Sequence, residues 1–247
     1  MLRKDKIAYG RSVAIGDVLG EAWGLYKRFL WQFFLTAFVV FAVLDLVSAL
    51  AASAAGDSAA AGLFWGLVSI AIGVVGYFWV QGALVELVRD VRDGRADSTI
   101  GETYKAVQPR LPALISAGLL AGLGIAIGLI LLVVPGLFLL TIWSMIVPVI
   151  VIEGRSAGES FSRSREVVRG HGWSVFGLIV VTFLLVGIAS AIIRLVFSPL
   201  PDFLDAWIGS LIAHSLTVPF AAAALATAYF RLTQTQTVGA AAVDPVP

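Results

Sequence analysis

Residues 111–152 read LPALISAGLLAGLGIAIGLILLVVPGLFLLTIWSMIVPVIVI, 42 consecutive residues without a charged side chain. As one helix this run would be about 63 Å long at about 1.5 Å per residue, twice the roughly 30 Å hydrocarbon core of a bilayer. It must therefore fold back. Pro135-Gly136, near its middle, is the strong turn signal, and it divides the run into spans over 111–134 and 136–152. Outward from this stretch lie four more apolar runs of spanning length: 29–52, interrupted only by Asp45, then 60–85, 173–193 and 206–230.

The composition agrees. Of 247 residues, 59% are hydrophobic and 13% charged, against about 25% charged in a soluble domain. Mean hydropathy is +0.95. A soluble fold of this length could not hide so much apolar surface. The fold class is therefore all-α, a polytopic membrane helix bundle of six spans forming one domain over 1–231, with 232–247 a flexible cytoplasmic tail. A long charged segment before the first span and Asp45 within it argue against a cleaved signal peptide. With no cysteine there is no disulfide framework and no thiolate nucleophile. A net charge of +1 gives no reason to expect nucleic acid.

The positions of the charges orient the chain. Arg3, Lys4, Lys6, Arg11, Lys27 and Arg28 precede span one. Arg89, Arg92, Arg95, Lys105 and Arg110 connect spans two and three, Arg155, Arg163, Arg165 and Arg169 connect four and five, and Arg231 follows six. Sixteen of the 17 basic residues thus fall on one side, leaving Arg194 on the other. The positive-inside rule places both termini in the cytoplasm of a bacterial-type inner membrane. Trp23, Tyr26, Trp31, Trp173, Tyr229 and Phe230 are expected as aromatic anchors at the cytoplasmic ends, Trp65 and Trp207 at the outer ends.

A pattern recurs before spans one, three and five: Ala14-Ile15-Gly16-Asp17, Thr99-Ile100-Gly101-Glu102 and Ser156-Ala157-Gly158-Glu159. The last two are capping boxes, and each marks the start of a short helix. In the first, Leu19, Trp23 and Tyr26 are spaced to share a face; in the third, Phe161, Ser164, Arg165 and Val168 are. Pro109 cuts the second short. The chain parses as three units, each a short amphipathic helix at the cytoplasmic surface followed by a two-helix hairpin.

Gly118, Gly122, Gly124 and Gly128 in span three, and Ala221 to Ala224 with Ala226 and Ala228 in span six, let helix backbones approach closely in lipid. Ionisable residues inside the membrane are few. His214 lies near the middle of span six, at a depth where no carboxylate is expected. Asp45 is expected near the outer surface, within reach of water. Glu86 and Glu153 close the cytoplasmic ends of spans two and four, where arginines are at hand. A pairing of Arg163 with Glu86 or Glu153 would make Arg163 a structural clamp, whereas the pair available with Glu159 one turn back is too weak to matter alone; the alternative is that Arg163 holds a lipid phosphate. Asp90, Asp93 and Asp97 alternate with Arg89, Arg92 and Arg95, which reads as an ion-paired surface. Two histidines far apart give no histidine metal cluster, and no phosphate-binding or dinucleotide motif occurs. No cofactor is expected.

Val133-Val134-Pro135-Gly136, Trp143, Pro148, Glu153, then Ser160-Phe161-Ser162-Arg163-Ser164, Val168-Arg169-Gly170 and Trp173 resemble the membrane domain attached to some bacterial glycerophosphodiester phosphodiesterases. They also look like the YciC-type inner-membrane proteins. Pro135, Gly136, Pro148, Arg163 and Ser164 match positions that recur in that group. The phosphodiesterases keep their catalytic acids and histidines in a soluble barrel for which this chain has no room, so the activity does not carry over. The resemblance implies a role in envelope or membrane-lipid homeostasis. The expected function is a non-enzymatic scaffold or accessory protein with membrane lipids as partners, a homo-oligomer or membrane-protein partner being left open. The alternative is a small transporter or lipid translocator, which a polar, lipid-sized groove around His214 would favour.

Overall fold

In the computed structural model, residues 14–55 and 58–243 are described, and they form helices and turns without a strand. Arg3, Lys4, Lys6 and Arg11 and the chain end at 244–247 lie outside the described residues. The helices are α1 (Ile15–Arg28), α2 (Leu30–Ala55), α3 (Ala59–Val91), α4 (Ile100–Val107), α5 (Leu111–Leu131), α6 (Val133–Ile142), α7 (Ile146–Glu153), α8 (Ala157–Val168), α9 (Gly172–Phe197), α10 (Asp202–Leu204) and α11 (Ser210–Val243). A π-turn over Asp205–Gly209 leads into α11. Six segments are long and apolar enough to cross a membrane: Leu30–Ala54, Ala59–Val91, Ile100–Leu131, Val133–Glu153, Gly172–Phe197 and Asp205–Gln236.

Prolines set the breaks in the long uncharged run. The reversal falls at Leu132, whose extended backbone separates α5 from α6, and not at Pro135-Gly136, which sit in the first turn of α6. The ring of Pro135 would meet the carbonyl of Leu131, four residues back, so α5 ends there; one turn into α6, its missing N–H costs nothing. A second break goes with Pro148, which lies within a span as Pro219 does. Residues 143–145 interrupt the fourth span between α6 and α7. Pro148, in the first turn of α7, acts on Ser144 in the same way. Gly154, with φ +68°, then turns the chain from α7 toward α8.

Both capping boxes form. Thr99 and Glu102 exchange side-chain and backbone hydrogen bonds at the start of α4, and Ser156 and Glu159 do so at α8. The buried faces agree only in part with those read off the spacing: Tyr26 on α1 and Ser164 and Val168 on α8 are shared. On α1 the buried residues are Val18, Ala22 and Tyr26, with Trp23 half-exposed; on α8 they are Ser160, Ser164, Val167 and Val168, with Arg165 exposed. The expected flexible tail is also corrected. The last helix continues past Phe230 to Val243, Leu232 is fully buried, and the Gln236 amide donates to the carbonyl of Glu166. No proline interrupts 220–244, so nothing local stops the helix.

α11 is the axis of the packing. Its alanines 222, 223, 224 and 226 belong to a core shared with α2, α3, α4, α5 and α7; Ala228, Tyr229 and Leu232 belong to a second core with α7, α8 and α9. Small side chains at these positions let several helices reach one axis. Three of the four glycines of α5 are similarly used. A Cβ at Gly118 would strike Phe78, one at Gly124 would strike Trp143, and one at Gly128 would lie 2.9 Å from the Cα of Gly136; Gly122 faces open space.

Candidate functional site

Each short helix sends a hydroxyl to a main-chain carbonyl of a spanning helix. The Tyr26 hydroxyl on α1 donates to the carbonyl of Leu216 in α11 at 2.8 Å, just before Pro219. The Tyr104 hydroxyl on α4 donates to Thr36 of α2 at 2.6 Å. Ser164 on α8 does more. Its hydroxyl donates to the carbonyl of Ile142 at 2.7 Å and accepts from the amide of Met145 at 3.1 Å. One fully buried side chain thus satisfies two of the backbone groups exposed by the α6–α7 break, which apolar surroundings would otherwise leave at a cost. Burial pushes the Tyr26 hydroxyl up to about 12, so it stays a donor throughout the physiological range.

Arg163 and Glu153 meet. The Arg163 Nε–H lies 2.9 and 3.0 Å from the two Glu153 oxygens, and the Tyr229 hydroxyl donates to the same carboxylate at 2.7 Å. Arg163 also reaches Glu166 at 3.3 Å. Glu159 instead closes its capping box and lies 3.9 Å from Arg155; bonds from Ser156 hold its carboxyl below the usual carboxylate range. Glu86 is not a partner of Arg163. It pairs with Arg89 at 3.6 Å, and its second oxygen is buried without a partner among the described residues. Tyr26 and Tyr229, expected as interfacial anchors, are buried, because each hydroxyl finds an internal acceptor.

Asp45 and His214 are brought together across 169 residues of sequence. His214 Nδ1 lies 3.1 Å from both oxygens of Asp45, beside the Phe41 ring. This corrects the expectation of a water-reaching Asp45 and of no carboxylate at the depth of His214. α2 runs on to Ala55, so Asp45 stands about 15 Å from its end by helical rise, and burial there demands a partner. The arginine–aspartate alternation over 89–97 is also not an ion-paired surface. Asp90 accepts from the amide and hydroxyl of Ser98, and Asp93 from the amide of Arg95. Arg92 lies over the Phe230 ring. The carboxylates cap loop amides, which need acceptors more than the exposed arginines do. No group of three metal-ligating side chains occurs among the described residues.

Two apolar grooves open beside these ties. The first, of about 600 Å³, lies beneath α1. Leu19, Trp23 and Tyr26 roof it; Leu185, Ala189 and Ile193 of α9 and Leu216 and Phe220 of α11 form its walls. Its hydroxyls are engaged: Tyr26 donates to Leu216, and Thr217 donates to Ala213 at 2.7 Å and accepts from Ser190 at 3.4 Å. The second, of about 700 Å³, lies between α2 and α3, lined by Val39, Val43, Ile72, Val75, Trp79 and Tyr104 among others. His214 lines neither. Sequence reasoning missed both grooves. The available signal was a tyrosine in each of the first two short helices, where the third carries none.

Six apolar helices of spanning length, joined by short polar connections, define a multi-pass helical membrane protein. Residues 13–235 match the family described as Domain of unknown function (DUF7847), and the chain belongs to that family. The match carries no link to the glycerophosphodiester phosphodiesterases or the YciC-type proteins. No curated protein and no solved structure matches the chain.

Proposed function

We propose that this chain is a non-enzymatic integral membrane protein that holds bilayer lipid in its lateral grooves, as a scaffold or accessory factor in membrane-lipid homeostasis. The observation that carries the reading is the groove beneath α1. It is lined by hydrocarbon, its two hydroxyls, on Tyr26 and Thr217, are already hydrogen-bonded, and its volume falls within the range of about 300–1,000 Å³ common to small-molecule sites. A short helix lying across two spans leaves such a space under itself, and an acyl chain is what the bilayer supplies to fill it. The charge bias supports a six-span topology with both termini in the cytoplasm, in an inner membrane, with α1, α4 and α8 on the cytoplasmic side and three hairpins between. The absence of cysteine from the sequence and the separation of its two histidines support a non-enzymatic role.

The second reading, a small transporter, has one observation in its favour: the broken fourth span, a feature of transporter binding sites. Ser164 fills that break, and the grooves are apolar and away from His214, so the first reading is preferred. The test is mass spectrometry of the protein released from native membrane or nanodiscs. Retained phospholipid that is lost in Ala189→Trp, which fills the groove, is the expected result. A lipid-free wild type, or a polar solute in place of lipid, overturns the proposal. Reporter fusions after Ala55 and Arg92 should read outside and inside; the reverse sinks the topology.

A further inference from the structure

We propose that the groove beneath α1 selects an anionic phospholipid, with an acyl chain in the groove and the headgroup phosphate on the ammonium of Lys27. This rests on the lipid-holding reading above and names the headgroup class for that same site. Trp23 marks the mouth. Its half-exposed ring lines the groove, and the Lys27 Nζ stands 5.5 Å from the centroid of that ring. An indole at the boundary of apolar and wet regions, with a cation over it, is what a headgroup–acyl junction calls for.

The charge on Lys27 is uncommitted among the described residues. No carboxylate lies within ion-pair distance of it among the described residues. The neighbouring cations are engaged elsewhere. Arg28 donates to the carbonyl of Gly94 at 2.9 Å, and Arg231 holds Glu21 at 2.7 Å with Asp17 3.9 Å away. The acidic side of α1 is thus compensated at its far end, and its groove end keeps a net positive charge. Lys27 is exposed, so it can meet a phosphate without losing a structural bond. The groove between α2 and α3 provides an internal contrast. The aromatic rings lining it, Trp79 and Tyr104, carry no such cation among the described residues, and the Trp79 Nε1–H is spent on the carbonyl of Tyr104.

The experiment reconstitutes the full chain in nanodiscs of equimolar phosphatidylglycerol and phosphatidylcholine, and weighs the lipid that stays bound by native mass spectrometry. The wild type should enrich phosphatidylglycerol about fivefold over the bulk ratio, as one lysine near an anionic headgroup supports. Lys27→Gln should keep its melting temperature but return the lipid it retains to the bulk ratio, and Lys27→Arg should restore the preference. A wild type that retains both lipids in the bulk ratio, or a preference unchanged in Lys27→Gln, overturns the inference. Ala189→Trp separates the two readings. If it still holds lipid, the groove reading itself falls; if it loses lipid while Lys27→Gln keeps full selectivity, only the headgroup assignment falls.

Discussion

At Gly128 and Gly136 the backbones of α5 and α6 touch: a Cβ on Gly128 would stand 2.9 Å from the neighbouring Cα. Between α9 and α11, by contrast, about 600 Å³ stays open beneath α1. Both pairs are apolar helices in the same bilayer, so hydrophobicity cannot separate them. What differs is side-chain size and where the short helix ties down. Glycine on both facing surfaces closes the first pair, and Ser164 of α8 seals the break beyond it. Leu185, Ile193, Leu216 and Phe220 prop the second pair apart, and Tyr26 anchors α1 across the gap. Lipid tails are as apolar as leucine, so contacts in a membrane are decided by fit and by polar ties.

The hardest way to break the contrast is to pry open the closed pair. Gly128→Leu should cost about 3 kcal/mol or more, because the obstacle is backbone and cannot swing aside. Thermal melting in detergent reads this, and an unchanged midpoint would mean that α5 and α6 do not meet at Gly128. Ser164→Ala comes next, at about 1–3 kcal/mol. It strands the amide of Met145 and the carbonyl of Ile142 in a buried position. A loss within experimental error would show that the break finds another partner.

Arg163→Ala should cost about 1–2 kcal/mol, since Arg163 is only 28% exposed and its removal leaves Glu153 with only the half-exposed Arg155, at 3.5 Å, as a charged partner. The loss should shrink in a Glu153→Gln background. Equal losses in both backgrounds would mean that the two side chains are not coupled. The smallest effect belongs to the capping box of α8. Glu159 is held ionised below the usual carboxylate range by Ser156. Its contribution is therefore present above the ordinary glutamate value and fades as pH falls through the lower folded value. Wild type and Glu159→Gln should melt slightly apart at pH 7 and converge as acid protonates the carboxylate; a gap that persists in strong acid would assign the effect to something other than the carboxylate.

Where the determinants are local, the sequence was readable. The capping boxes at Thr99 and Ser156 need only side chains three residues apart. Arg163 and Glu153 are joined by one short turn, which made their pairing one of few options. Tyr229, which completes that cluster, lies 76 residues from Glu153, and no spacing rule reaches so far. The α6–α7 break illustrates both cases. Pro148 stood in plain view, but the residue that makes the break tolerable, Ser164, belongs to another helix.

By itself the sequence determined that this chain crosses a membrane on six apolar segments, because hydrocarbon thickness and the need to satisfy every backbone group in lipid leave a helix of about 20 residues as the solution. It also determined where the short helices begin, because capping is a matter of neighbours. Only the tertiary structure decided that Asp45 meets His214, that Ser164 fills a broken helix, and that α1 roofs a groove while α5 and α6 close on one another. Those outcomes depend on which faces of distant helices come together. In a membrane that choice rests on shape and on single hydrogen bonds, and neither is written in the hydrophobic pattern of one segment.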